Sequence, residues 1–287
     1  MRSLPIVGPG SQLEEDEAPV EYLAPGPMDV FRAPRVPELP QAAALAETRA
    51  VLGAFHARLR AWRPGAPGTP VLDLRGTGPA VLDLVNTSLG EGEVSVRVTG
   101  PAAVEAQETA FAGVWRVREH RPDGALASDL VEAGTLPASV LAALAAAARD
   151  AAPRALPPEI PGLMNAPAVA REVLDRSARH VAGRPAHVIN FTLLPMTPED
   201  LAWLAQALGD GPVTILSRGY GNCRITATAV PHVFWVKYFN AMDQLILDTL
   251  EVVDVPEAAL AAKEDLEDST ARLEEWLLSL EDVEVAA

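Results

Sequence analysis

The chain has one cysteine, Cys223, in the stretch ILSRGYGNCRITATAV (215–230), just after Gly219, Tyr220, Gly221 and Asn222 and just before Arg224. A thiol acts as nucleophile or metal ligand as the thiolate, which needs an electropositive setting and usually a nearby base. Arg218 and Arg224 flank Cys223, and His180, His187 and His232 lie in the same half of the chain, so such parts exist. No known nucleophile signature surrounds the cysteine. Gly219, Gly221 and Asn222 also suit a tight turn, because all three tolerate positive φ. A turn, a ligand or partner loop and a reactive thiol are therefore three open readings of this segment.

Other residue patterns offer less chemistry. The five histidines, His56, His120, His180, His187 and His232, show no His-x-x-x-His spacing, and one cysteine cannot make Cys-x-x-Cys, so spacing gives no metal site. There is no phosphate-binding loop, no dinucleotide fingerprint and no Gly-x-Ser-x-Gly elbow. The acids of GEGE (90–93), Glu91 and Glu93, and Asp210 of GDG could serve as proton-transfer groups. Each stands where a helix gives way to a strand, and a structural role in that junction explains them better. The reading expects no catalytic residue and no cofactor. Its candidate partner surface is the loop 219–224 with Glu91, Glu93, Trp115 and Trp235; large aromatics on strands more often pack inward.

The totals narrow the function classes. With 23 Lys and Arg against 39 Asp and Glu, the net charge is −16. Such a balance opposes binding to nucleic acid or to an anionic membrane surface, both of which need clustered cations. It favours solubility and attraction for a basic partner segment. No apolar run approaches the ~20 residues that cross a bilayer, and the N-terminus lacks the apolar stretch of an export signal. One cysteine in 287 residues suits a reducing cytoplasm.

These residues must be held by elements, and the elements are legible. Residues 1–40 are rich in proline and carry Glu14, Glu15, Asp16 and Glu17, an extended arm. From 41 a helix buries Leu45, Leu52, Phe55, Leu59 and Trp62 on one face. VLDL (71–74) is a strand, Leu82, Val85 and Leu89 share a helical face, and EVSVRV (93–98) alternates as a half-buried strand. QETAFAGVWRVRE (107–119) and ASDLVEAG (127–134) read as further strands, and 138–148 as a helix. Prolines 153, 157, 158 and 161 mark a linker over 151–165. Then HVINF is a strand, Thr197 with Pro198, Glu199 and Asp200 starts a helix, and four strand-like runs follow. A final helix carries Leu266, Leu273, Leu277 and Leu280 on one side, for the core or for a partner helix.

The halves repeat. LGEGEVSVRV (89–98) aligns with LGDGPVTILS (208–217), Gly90 with Gly209, Gly92 with Gly211, and Glu132 with Glu251, at an offset of 119; the VWRVRE and FWVKYF runs align Trp115 with Trp235 at 120. The fold class expected is α+β, with two related modules (41–150 and 166–287) arisen by internal duplication. Each is a mostly antiparallel sheet with flanking helices.

Several motifs in order, LGEGEVSVRV, VWRVRE, GLMNAPAV, HVINFTLLP, SRGYGNCRITAT and EVVDVPEAALAAKEDLEDSTARL, resemble the hydrogenase expression/formation proteins of the HupH/HyaF type. The resemblance covers most of 70–280. It implies a cytoplasmic accessory role in maturing nickel–iron hydrogenases, as a chaperone of the iron–sulfur small-subunit precursor before its export. It implies a thioredoxin-like hydrogenase accessory protein as a second partner, and carries over no catalytic residue. A redox-active or enzymatic factor using Cys223, and an adaptor that bridges other accessory proteins, are the competing readings.

Overall fold

In the computed structural model, which describes residues 33–34, 42–218 and 222–286, two successions of elements follow one another. The first is α1 (Ala42–Ala61), β1 (Val71–Asp73), α2 (Pro79–Leu89), β2 (Val94–Val98), β3 (Ala103–Glu108), β4 (Val114–His120), β5 (Leu126–Ala133) and α3 (Ala138–Asp150). The second is α4 (Ala166–Ala178), β6 (His187–Asn190), α5 (Pro198–Leu208), β7 (Asp210–Ser217), β8 (Asn222–Thr228), β9 (Val233–Phe239) and β10 (Leu245–Val252). A 3-10 turn (Glu257–Ala259) and α6 (Lys263–Ala286) complete it. Apart from Ala33 and Pro34, the arm 1–40 lies outside the described residues.

The fold is α+β, and the two sheets expected are halves of one. The strands join in the order β1-β5-β4-β3-β2-β7-β8-β9-β10-β6, with every neighbouring pair antiparallel. The halves meet where β2 pairs with β7, and at the middle of that seam Val96 stands opposite Ile215, its own counterpart at the offset of 119. Outward from this pair the strand order is the same on both sides. Pairing there removes the two long edges that separate modules would leave open. The edges that persist, β1 and β6, have three and four residues, too short to template pairing with another chain.

One face of the sheet is apolar across the seam. Val96, Val104, Trp115 and Val117 from the first half meet Val213, Ile215, Ile225 and Phe234 from the second, with α3 laid over β7 and β2. The opposite face is covered only towards its ends. At one end α1 and α2 pack Phe55 and Val85 over Val114 and Val131; at the other, α4 and α5 pack Val173 and Leu204 over Val233 and Leu250. The last helix crosses back: α6 lies along α1, and its Leu273 enters the first half's core. Leu266, Leu273 and Leu280 are all buried, so the leucine stripe packs within the chain.

Both halves use the same backbone devices. Gly90 and Gly209 cap α2 and α5 with φ of 63° and 62°, the left-handed region that glycine enters without penalty. Two residues on, a Cβ at Gly92 would stand 2.2 Å from the Thr109 carbonyl oxygen, and one at Gly211 would stand 2.4 Å from that of Thr228. These contacts are backbone to backbone and cannot swing away. Gly211→Ala is therefore expected to cost about 2–4 kcal/mol. Urea denaturation checks this, and a cost near zero would show that the strands can part.

The sequence reading needs two corrections here. The run 107–119 is not one strand: it breaks between Glu108 and Val114, where Gly113 turns the chain with φ of 74°. Trp115 does not correspond to Trp235 either. Trp115 pairs with Glu132 and Phe234 pairs with Glu251, so Phe234 is the counterpart and Trp235 answers to Arg116. The one-residue slip puts the two tryptophans on opposite faces.

Candidate functional site

Between the two helix layers the middle of the second face carries no helix among the described residues. Strand alternation sends Ser95 and Arg97 of β2, Glu105 and Gln107 of β3, Arg116 and Arg118 of β4 and Leu216 of β7 to this side. With Asn86, Gly90, Glu91 and Arg218 they line a cleft of about 440 Å³. Four arginines thus face two glutamates inside a chain of net charge −16.

The charges are ordered across the strands. Arg118 stands opposite Asp129 on one side and Glu105 on the other, and Glu105 stands opposite Arg97. Arg116 is the fixed member. Its Nε and a terminal nitrogen donate to both oxygens of Asp129 at 2.6 and 2.7 Å, and both side chains are about 90% buried, at 11% and 9% exposure. A fork-on-fork pair of this kind orients as well as binds. Gln107 is tied down too, its amide donating towards the carbonyls of Gly92, Val94 and Glu108. Arg97 is held more loosely, 3.5 Å from Glu105, with about half of each side chain exposed. Among the described residues Arg218 has no ion-pair partner.

The second half departs from this pattern. At the place of Arg116 and Asp129 stand Trp235 and Asp248, the indole Nε1 donating to the carboxylate at 2.5 Å. Burial pushes the Asp248 carboxyl above the usual range, and the charge of Lys237 and the indole bond offset this in part. Lys237 also lies 5.2 Å from the Trp235 ring centre. The arginine network thus belongs to the first half, and at its counterpart Trp235 packs partly against the α4 and α5 core.

The sequence candidates divide between the faces. Glu91 lines the cleft, Arg218 N donates to the Glu93 carbonyl at 3.0 Å, and Arg224 and Trp235 share the open face. Trp115 is fully buried in the opposite core, its Nε1 bonded to the Gly134 carbonyl at 2.9 Å. Gly219, Tyr220 and Gly221 lie outside the described residues. Asn222 opens β8, its Nδ2 donating to Asp243 Oδ1 at 2.9 Å. Cys223 points into the core at 5% exposure, opposite Tyr238. Burial pushes its thiol up to about 11, despite a hydrogen bond with Tyr238 that acts the other way. Arg224, which sequence adjacency offered as a means of lowering that value, belongs to the other face, and at neutral pH Cys223 stays protonated.

Sequence spacing missed one group altogether. His180, just after α4, His232, in the turn from β8 to β9, and Asp254, just after β10, place one donor atom each within 4.8 Å of one another. Only long-range packing joins these positions, so no local motif could show them.

A family described as "HupH hydrogenase expression protein, C-terminal conserved region" matches residues 45–155 and again 163–280. The chain belongs to the HupH hydrogenase expression protein family. Its two matches coincide with the two successions of elements, α1 to α3 and α4 to α6. Among HupH relatives, the hydrogenase expression/formation protein HupH of Rhodobacter capsulatus is 44% identical over 270 residues, 94% of each chain. The hydrogenase expression/formation protein HoxQ of Cupriavidus necator is 43% identical over 286 residues, 96% of this chain and 98% of that one. A solved structure of the hydrogenase expression protein HupH from Thiobacillus denitrificans is 30% identical with a TM-score of 0.37. It covers 41% of this chain and 96% of its own.

Proposed function

We propose that the chain acts in hydrogenase maturation as a non-enzymatic chaperone, and that the open sheet face is where it holds the iron–sulfur small-subunit precursor. Family membership supports the maturation role. The cleft is the observation that carries the docking surface: a wide, uncovered stretch of sheet with arginines held ready by Asp129 and Glu105. Its cationic lining suits a carboxylate-bearing stretch of the partner. A basic, twin-arginine export segment fits the acidic exterior instead. A buried, protonated Cys223 favours this reading over a redox factor. No described helix is long and apolar enough to cross a membrane. The proposed setting is the cytoplasm, beside a thioredoxin-like accessory protein. The two halves are read as an internal duplication whose first copy kept the charged site.

Co-purification of the tagged chain with the precursor tests this. Wild type and Cys223→Ser are expected to capture it. Arg97→Glu combined with Arg118→Glu should lose at least ~10-fold of the capture, with binding that weakens as salt rises. Each new glutamate would face an acid across the strands, so Arg97→Gln with Arg118→Gln is the control: both arginines are exposed, and this neutral pair should keep the melting temperature and still lose capture. Equal capture by the double variant would move the partner off this face. Failure of wild type to capture the precursor would end the small-subunit reading.

A further inference from the structure

The His180, His232 and Asp254 group is independent of the cleft and of the role proposed for it. The three donors come from three separate connections of the second half, after α4, between β8 and β9 and after β10. His180 Nε2 lies 2.7 Å from Asp254 Oδ1, and the other oxygen, Oδ2, accepts from Gly183 N at 2.7 Å. The His232 ring stacks on that of His180 with centres 4.1 Å apart and planes 25° apart. The His180 side chain is 8% exposed, while that of Asp254 is 43% exposed, so the group is anchored at one end and open at the other.

A simple tie between α4 and the end of β10 would need only His180 and Asp254. His232 adds nothing to such a tie, and its position is costly. Its φ is 61°, a left-handed conformation that non-glycine residues rarely adopt and that often marks a functional site. The first half shows the inexpensive solution: its counterpart is Gly113, with φ of 74°. The counterpart of Asp254 is Thr135, which brings no carboxylate. The turn therefore works without an imidazole, and the second half carries one under strain, against another imidazole and a carboxylate.

We infer that His180, His232 and Asp254 form a binding site for one divalent transition-metal ion. Two imidazoles and one carboxylate make an N₂O donor set of the kind that takes zinc, cobalt, nickel or iron, with remaining positions open to water or to a partner group. The ion takes the place between His180 Nε2 and Asp254: a neutral His180 then carries its ring proton on Nδ1, and an imidazolium releases the Nε2 proton to solvent. With bonds of ~2.1 Å and tetrahedral angles, the His180 and Asp254 atoms would part to ~3.4 Å, and the His232 ring would turn out of its near-parallel stack on His180 so that both lone pairs meet at the ion. The Gly183 amide stays on Asp254 and orients it, as outer hydrogen bonds do for ligating carboxylates.

The test uses the full chain stripped with a chelator. Zn²⁺ is titrated by calorimetry and Co²⁺ by visible absorption, for wild type, His232→Gly and Asp254→Asn. Wild type should take a single Zn²⁺ per chain, show the ligand-field bands of Co²⁺ bound to nitrogen and oxygen, and melt at a higher temperature when loaded. Each variant should lose at least ~10-fold in affinity. Glycine suits the φ at 232 and asparagine keeps the shape at 254, so both variants should melt close to wild type without metal. No uptake of Zn²⁺ or Co²⁺ by wild type would overturn the site. Equal uptake by His232→Gly would also overturn it and leave only ions scattered on the acidic surface.

Discussion

Replacing Asp200 by alanine should cost about 3–5 kcal/mol of unfolding free energy at neutral pH, the range for stranding several buried donors at once. This fully buried carboxylate serves two helix starts. It accepts from Met164 N at 2.9 Å, Asn165 N at 3.2 Å and Ala166 N at 3.0 Å, where α4 begins, and from Thr197 N at 3.1 Å, where α5 begins. Its own amide bonds back to Thr197 Oγ1 at 3.0 Å, closing a capping box. Burial alone would raise its pKa, but the amides of Ala166, Thr197, Met164 and Asn165 outweigh it and hold the carboxyl below its ordinary 3.8. A folded pKa below the unfolded one gives stability that is complete above the unfolded value and is lost as pH falls through the folded one. Urea denaturation of wild type and Asp200→Ala at neutral and acid pH checks both size and sign. A loss under ~1 kcal/mol at neutral pH would mean that water replaces the carboxylate easily.

Glu108→Gln should do the reverse and stabilise the fold, on the order of 3 kcal/mol above neutral pH. Glu108 is 7% exposed and accepts from Gly113 N at 2.9 Å. Burial, opposed in part by that hydrogen bond and aided by the charges of Glu93 and Asp265, pushes its carboxyl from 4.5 to about 7. Between those values the folded chain keeps a proton that the unfolded chain has released. Stability therefore falls as pH rises through this window and levels off above it. Glutamine keeps the acceptor for Gly113 and removes the charge. Its advantage should be largest at mildly alkaline pH and vanish near pH 4, below the unfolded value of 4.5. Thermal melts across that range decide it, and an advantage independent of pH would show that Glu108 titrates alike in the folded and unfolded chain. The second half has already made an uncharged choice, with Ala227 at the corresponding position.

Local signals gave the sequence reading most of its elements. Thr197, Pro198 and Asp200 announce a helix start, and the alternation of Val94, Val96 and Val98 announces a half-buried strand; both form as read. The turn before β4 was hidden because Ala110 and Phe111 are apolar and buried, so the chain folds back without the usual polar marking. The helix at 166–178 was hidden by the prolines around it. The match of Trp115 to Trp235 followed residue type, whereas pairing register decides which residues correspond. The candidate surfaces were the least legible. The arginine cleft depends on strands from both halves lying side by side, and the histidine pair on three positions spread over 75 residues, from 180 to 254. Neither leaves a short-range trace.

The course of α6 bears on how a ribosome can deliver this protein. The first half emerges early, but its β2 edge must wait for β7, and the apolar groove around Phe55 and Phe111 must wait for Leu273. Domains usually fold as units while they are made. Here the early half cannot close before Leu273 has left the exit tunnel. For that interval the nascent chain exposes a strand edge and an apolar surface, the two features that invite aggregation. A protein read as guarding another chain through assembly would itself pass through an exposed stage during synthesis.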